Sequence, residues 1–295
     1  MEPPCIVEIE YAALCNGSDL DEQMRLAFGP HSLGVVLVTN VPHLAAVRVP
    51  LLQTMAAFAA LPASEKTACE DRDSGFLRGW SHGRESMAGK PDVSKGSYYS
   101  LLQTEDGFWP QSLPLFRPQL EALGGCVVGV GLQVAAHIDA YLQRALAPLP
   151  ATFVHSAIVA ATTRARVLHY FPAPQHSTWC GLHVDHSILT GLTAALYTDH
   201  NTLEFSPATS LETTSIQQAG LYIKNTHSNN LVHVAIPPTA LAFQIGEAAQ
   251  IASGGLLVAT PHLVKSAHLS NVARNTFATF MQVLLNSFSH TMTTC

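Results

Sequence analysis

Trp179-Cys180-Gly181-Leu182-His183-Val184-Asp185-His186-Ser187-Ile188-Leu189-Thr190-Gly191-Leu192 is the stretch whose reading decides how this chain folds. From Ser187 to Thr198 it continues as an apolar, β-type run, so His183 and Asp185 stand where a strand enters a β-walled body. One residue separates them, and side chains alternate along an extended backbone, so both project to the same side. His262 follows 79 positions later (262 − 183) and must come from another strand. Two imidazoles and one carboxylate can cap one face of an iron(II) ion and leave the opposite face open. Arg274-Asn275-Thr276-Phe277-Ala278-Thr279-Phe280 then places Arg274, Thr276, Ala278 and Phe280 on one strand face. A guanidinium forks onto a carboxylate through two hydrogen bonds, and a hydroxyl two residues along adds a third.

Outward from that stretch, short β-type runs divided by Gly, Pro and Asn fill the C-terminal half. Strands are expected at 165–171, 188–198, 220–225, 231–236, 240–245, 256–260 and 274–284. Such close spacing predicts a sandwich or jelly roll rather than a βαβ sheet. In the last part of this set, Leu256, Val258, Thr260 and His262 share one parity and are expected on one face. Upstream, Gly34 to Val41 reads as a buried strand, Leu51 to Leu61 as a helix stopped near Pro62, and Gly124 to Ala147 as a long buried helix. The mixture of Gly, Pro, Ser and charge over 70–118 predicts loops. The expected architecture is mixed α+β in a single unit over 1–295. Residues 1–160 form its mainly helical part with irregular loops, and 161–295 a jelly-roll part that carries the site.

Composition excludes several classes. Apolar residues make up 47% and charged residues 12%, which suits a large buried interior and not a disordered chain. A net charge of −6 with no basic cluster argues against a nucleic-acid groove. The apolar stretch Leu123 to Ile138 contains Gln133 and four glycines, too short and interrupted to span a bilayer. Cys5, Cys15, Cys69, Cys126, Cys180 and Cys295 show no CxxC pairing and read as free thiols. The start Met-Glu-Pro-Pro has neither the cationic nor the apolar part of a secretion signal, so a cytoplasmic protein is expected.

In a chain with 15 histidines, His-X-Asp also occurs by chance, as three hydrogen-bonded polar residues with no metal. Arg274 has its own plain alternative, a structural salt bridge with an internal acid. Among competing ligands, His186 has the wrong parity, His268 lies in a polar loop, and His176 precedes the strand; Cys180 reads as a buried structural thiol.

Together these residues resemble the 2-oxoglutarate- and iron(II)-dependent oxygenases of the isopenicillin N synthase-like group. Leu33-Gly34-Val35-Val36 to Val41 is similar to that group's early strand, and Leu61-Pro62 to Lys66 to its "LP-x-x-x-K" helix end. Arg166-Val167-Leu168-His169-Tyr170-Phe171-Pro172 looks like its strand before the metal pair. Gln244-Ile245-Gly246-Glu247 and Ser253-Gly254-Gly255 resemble its "IGD … SGG" run. The resemblance implies a double-stranded β-helix (jelly-roll) core, with iron held by His183, Asp185 and His262. It also implies 2-oxoglutarate as co-substrate, with its distal carboxylate on Arg274 and Thr276. There are departures. The group often has Asn and Tyr where this chain has His169 and Phe171; Phe171 cannot hydrogen-bond a carboxylate, so Tyr170 or His169 has to serve. Its usual Arg-x-Ser is Arg-x-Thr here, and twelve positions (274 − 262) separate His262 from Arg274, a longer loop than is common.

The function this implies is that of an Fe(II)- and 2-oxoglutarate-dependent dioxygenase that uses O2. It would couple oxidative decarboxylation to hydroxylation, or desaturation, of a small organic molecule, with ascorbate as a stimulant. Phe280 and Gln282 share the Arg274 face and lead the candidate substrate-pocket residues. Tyr98, Tyr99 and Trp179 come next, with Trp109 and the Ser81–Glu85 segment behind. Few charges converge there, which favours a small, largely apolar substrate. Two readings stay open beside this one: an inactive jelly-roll binding protein, and an iron oxidase of the same fold that does not use 2-oxoglutarate. A cupin-like zinc or manganese enzyme would leave Arg274 and Thr276 unexplained.

Overall fold

The computed structural model describes residues 6–87, 89–102, 104, 107–145, 152–173, 178–204, 212–226 and 228–282. The chain opens with strand β1 (Val7–Glu10), helices α1 (Tyr11–Cys15) and α2 (Asp21–Phe28), strand β2 (Val35–Thr39) and helices α3 (Leu44–Ala59) and α4 (Ala63–Ala68). Strands β3 (Gly79–His82), β4 (Ser86–Met87), β5 (Lys90–Pro91) and β6 (Lys95–Leu101) lead to the long helix α5 (Phe116–Ala145) and to α6 (Phe153–Ala160). Then come β7 (Arg164–Tyr170), β8 (Thr178–His183), β9 (Leu189–Thr193), β10 (Leu196–Asp199), α7 (Glu212–Gln218), β11 (Gly220–Lys224) and β12 (Leu231–His233). The last elements are β13 (Leu241–Ile245), α8 (Glu247–Ala252), β14 (His262–Lys265) and β15 (Val272–Met281).

Two sheets carry the architecture. The larger runs β1-β2-β13-β9-β15-β7-β6-β3, with β10 also paired to β15; the smaller runs β12-β11-β14-β8. From β7 to β9, and again from β12 to β15, consecutive strands alternate between the two sheets, so each connection crosses the sandwich. Residues of β15 divide by parity. Phe277 and Met281 face α3 and α5 in the main core, together with Phe243, Val36, Phe58 and Val127. Arg274, Thr276, Ala278 and Phe280 turn inward between the sheets. Between the sheets, too, Val35, Leu37 and Ala242 of the large sheet pack against Leu221 and Ile223 of the small one.

The apolar run in the middle of α5 belongs to a helix 30 residues long, enough by length and composition to cross a bilayer. In this fold it packs on α3 and on the large sheet. Gly131 is a contact point: a methyl group there would lie 2.3 Å from Met281 Cε.

Several expectations shift. The expected strand 188–198 is two strands, β9 and β10, interrupted at Ala194 and Ala195. Residues 256–260 form no strand; Val258 N–H bonds to the Phe28 carbonyl and the Thr260 hydroxyl to the Leu33 carbonyl. Tertiary anchoring of these groups replaces a sheet ladder, and the two fully buried residues, Leu257 and Thr260, are of opposite parity. The 70–118 region holds β3 and β6, both in the large sheet, because β7 offers β6 a free edge. The described residues of 1–160 therefore combine helices and the small β4–β5 hairpin with four strands of the large sheet, which flank the C-terminal strands on both sides. The thiols of Cys15, Cys69, Cys126 and Cys180 are free; Cys5, Cys295 and His176 lie outside the described residues.

Candidate metal centre and its cavity

His183 ends β8 and His262 begins β14, and the two pair directly across the small sheet. Their rings lie 4.2 Å apart between centroids. Asp185 follows β8 by two residues, and its backbone carbonyl accepts the Glu247 N–H at 2.7 Å, which ties this turn to the start of α8. Asp185 Oδ1 is 3.8 Å from His183 Nε2 and 3.7 Å from His262 Nε2. One donor atom from each residue falls within 4.8 Å of the others. Atoms so placed can share one ion through bonds of about 2.0–2.2 Å.

The ring orientations suit ligation. His183 Nδ1 faces the Gly181 carbonyl at 2.8 Å, so it carries a proton, and Nε2 is the atom turned toward Asp185. Against the effect of burial, Cys180, the Gly181 carbonyl and Asp185 raise the ring's pKa to about 9, so a metal binding at Nε2 displaces a proton there. His262 turns Nδ1 toward Gln244 and the Thr260 carbonyl and Nε2 toward Asp185. Burial pushes the His262 pKa down, against the pull of Asp185, and favours the neutral imidazole that a metal needs. His183 is 43% exposed while Asp185 and His262 are buried, so one side of the cluster is open.

The three side chains line a cavity of about 80 Å³ between the sheets. Arg274 lies in the same cavity, 6% exposed, and its Nε and Nη1 are buried with no hydrogen-bond partner. A buried cation with unsatisfied donors is costly unless an anion joins it. No acid salt-bridges to Arg274 among the described residues, so the cradle fits an anionic ligand. Tyr170 pairs with Arg274 across β7 and β15 and stacks beneath its guanidinium. Burial pushes the Tyr170 hydroxyl up to about 12, so it stays protonated and able to donate. Thr276 Oγ1 gives its hydrogen to the Thr193 carbonyl at 3.2 Å; to donate to a carboxylate the hydroxyl must rotate.

No protein-family model matches the chain, and no curated protein matches it. Solved structures do. A protein from Caulobacter crescentus described as of the 2OG-Fe(II) oxygenase family superposes with a TM-score of 0.74 at 20% identity, covering 95% of this chain and 87% of that one. The chain has the fold of the 2OG-Fe(II) oxygenases. A Neurospora crassa protein in complex with alpha-KG and thymine superposes with a TM-score of 0.73 at 18% identity, over 96% of this chain and 87% of its own. The Arabidopsis thaliana dioxygenase for auxin oxidation 1, in complex with 2-oxoglutarate, gives 0.68 at 18% identity, over 96% and 94%.

Within this oxygenase fold the sequence-derived candidates separate. His183, Asp185, His262, Arg274, Thr276, Tyr170 and Phe280 come together around the cavity. His169 does not. It pairs with Asn275 on the opposite face of the large sheet, where its Nδ1 meets Asn275 Oδ1 at 2.8 Å and its ring packs on Phe171. The inward parity of β7 is Arg166, Leu168 and Tyr170, so the comparison that set Phe171 at the co-substrate position is out of step with the strand. Tyr98 belongs to the core with Phe58, Trp109 and Phe116, and its hydroxyl donates to the Phe108 carbonyl at 2.6 Å. Trp179 is fully buried behind Tyr170, donating to the Phe171 carbonyl at 2.8 Å. Gln282 follows the end of β15 and does not line the cavity. Tyr99 reaches it only indirectly, beneath Arg166. His186 is a surface residue bound to Glu247 at 2.5 Å, and His268 bonds Ser266 at 3.0 Å.

Among the lining residues that sequence reasoning did not place there, Cys180 and Arg166 carry ionisable side chains. Cys180 forms part of the wall, with its sulfur 3.8 Å from His183 Nδ1. Arg166 lines it as well; the signal available was its shared parity with Tyr170 on β7.

Proposed function

We propose that this chain is a non-haem iron(II) oxygenase that consumes 2-oxoglutarate while oxidising a small organic substrate. The observation that carries the reading is one cavity holding both the His183–Asp185–His262 cluster and the unpartnered Arg274 guanidinium. Each half needs the other: a metal cluster alone would suit many chemistries, and a buried cation alone would be a defect. The alternation of strands between the two sheets supports a double-stranded β-helix core. The sequence landmarks support a place in the isopenicillin N synthase-like group. Structures of similar fold hold alpha-KG with thymine, or 2-oxoglutarate, which supports a small-molecule substrate.

His183, Asp185 and His262 would hold iron(II), which when bound supplies the coupling of 2-oxoglutarate decarboxylation to oxygen insertion or hydrogen removal. The chain's own residues do the rest. Arg274 fixes one carboxylate of the co-substrate, and the protonated Tyr170 hydroxyl donates beside it. Leu168, Leu192, Val264 and Phe280 exclude water from the space around the substrate. Purified protein given iron(II), 2-oxoglutarate and ascorbate should release succinate, and His183→Ala should abolish the release. Succinate formation that survives His183→Ala rules the assignment out.

A further inference from the structure

Arg166 is the second guanidinium of the cavity, and its wiring differs from that of Arg274. It sits opposite Ala278, four residues along β7 from Tyr170, so the two cations mark separate stations of one wall, roughly 13 Å apart along the strand. Arg166 Nε and Nη2 donate to Ser97 Oγ at 3.0 and 2.7 Å, and Nη2 also to Glu85 Oε1. Its guanidinium carbon lies 4.9 Å from the Tyr99 ring centroid. Nη1 makes no hydrogen bond among the described residues. The side chain is therefore clamped on two nitrogens and offers the third.

The charge around it is already closed. Glu85 also meets Lys95 Nζ at 3.1 Å and accepts from Tyr99 Oη at 2.7 Å, and Lys95 is paired in turn with buried Asp92. Two cations, Lys95 and Arg166, are matched by two carboxylates, Glu85 and Asp92. The remaining charged groups lining the cavity are Asp185 and Arg274 beside the two imidazoles. On the function proposed above, a divalent ion on Asp185 together with Arg274 is neutralised by the dianionic co-substrate. No cation is left over for a substrate anion, and an uncompensated charge in a buried space is expensive.

We infer that the substrate is an uncharged, compact, largely apolar molecule carrying a carbonyl or similar neutral acceptor, which takes the free Nη1–H of Arg166. The inference rests on the oxygenase reading. Arg166 thereby determines specificity for acceptor-bearing neutral molecules over acids of the same shape, because a polar station rejects what leaves its donor unpaired or its charge unmatched.

The probe is an isosteric pair, isobutyramide and isobutyrate, titrated calorimetrically into protein loaded with zinc and 2-oxoglutarate so that no turnover occurs. The 2-oxoglutarate heat is recorded first; its absence would sink the oxygenase reading, whereas a normal heat leaves the probe titrations to test Arg166 alone. The amide should bind about tenfold or more tighter than the acid. Arg166→Met should erase that preference, and Arg166→Gln, which keeps a neutral donor, should retain part of it, with thermal melts confirming that both variants fold. Equal or tighter binding of isobutyrate overturns the inference. So does undiminished amide binding by Arg166→Met, or binding of neither probe to the loaded wild-type protein.

Discussion

Tyr170 lies directly across the β7–β15 ladder from Arg274, with the guanidinium carbon 5.1 Å from the centre of the phenol ring. The ring supports the cation from one side by packing and quadrupole attraction, while two of its nitrogens remain without partners. Charge-assisted, two-pronged hydrogen bonds contribute about 1.5–3 kcal/mol each. Arg274→Met should therefore weaken 2-oxoglutarate binding roughly a hundredfold or more, read by calorimetry on the metal-loaded protein. Tyr170→Phe keeps the stacking and loses one donor, so its loss should be about tenfold. An unchanged dissociation constant for Arg274→Met would remove the anchor assignment.

Gln244 positions His262. Its side chain is fully buried, the amide nitrogen lies 2.9 Å from His262 Nδ1, and Oε1 has no partner. Turning the amide over presents Oε1 to the Nδ1–H that a metal-bound imidazole carries. Gln244→Leu should weaken cobalt(II) or iron(II) binding roughly ten- to a hundredfold, and Gln244→Glu, which keeps an acceptor, should lose less. Metal titration followed by absorption reads this without turnover.

How much of the site is legible in the sequence depends on distance along the chain. His183 and Asp185 share a strand end, so alternation alone aligns them. Arg274, Thr276, Ala278 and Phe280 are placed by the same rule, and all four line the cavity. His262 joins the cluster for a reason that parity does not carry: 256–260 is held by Phe28 and Leu33, partners more than two hundred positions away, not by a strand. The face of Tyr170 does not come from a resemblance centred on Phe171; the β15 register decides it. The Glu85–Arg166 contact spans 81 positions and joins a strand to a stretch whose Gly, Pro and charge read as loop. β3 and β6 form there because β7 supplies a ladder, a tertiary cause that local composition does not carry.

His169 makes stability pH-dependent from behind the site. Burial lowers its pKa from 6.5 to about 4, with Asn275 opposing through its hydrogen bond. The folded chain thus holds fewer protons on this ring than the unfolded chain does. Its share of stability is complete above pH 6.5 and is lost as the pH falls toward 4, amounting to roughly 3 kcal/mol at most. Urea unfolding of wild type between those values should show a falling free energy, and His169→Gln should flatten the slope. Parallel slopes in the two proteins would show that His169 is not its source.

Gly246 couples the metal loop to the sheet through close backbone contact. A methyl group on it would stand 2.0 Å from the Ser187 carbonyl oxygen, which is backbone and cannot swing aside. The residue after it, Glu247, holds the Asp185 carbonyl, so any shift passes directly to a metal-binding residue. Gly246→Ala should destabilise the fold by about 1–3 kcal/mol, as overpacking does elsewhere, and weaken metal binding as well. Gly125 offers the contrast: it sits in α5 with nothing within 4 Å of an added methyl. Gly125→Ala should raise stability by up to about 1 kcal/mol through helix propensity and leave metal affinity alone. Thermal melts of the two variants, each with and without metal, should therefore move in opposite directions. A Gly246→Ala protein as stable as wild type would show that the Ser187 turn yields more readily than its geometry implies.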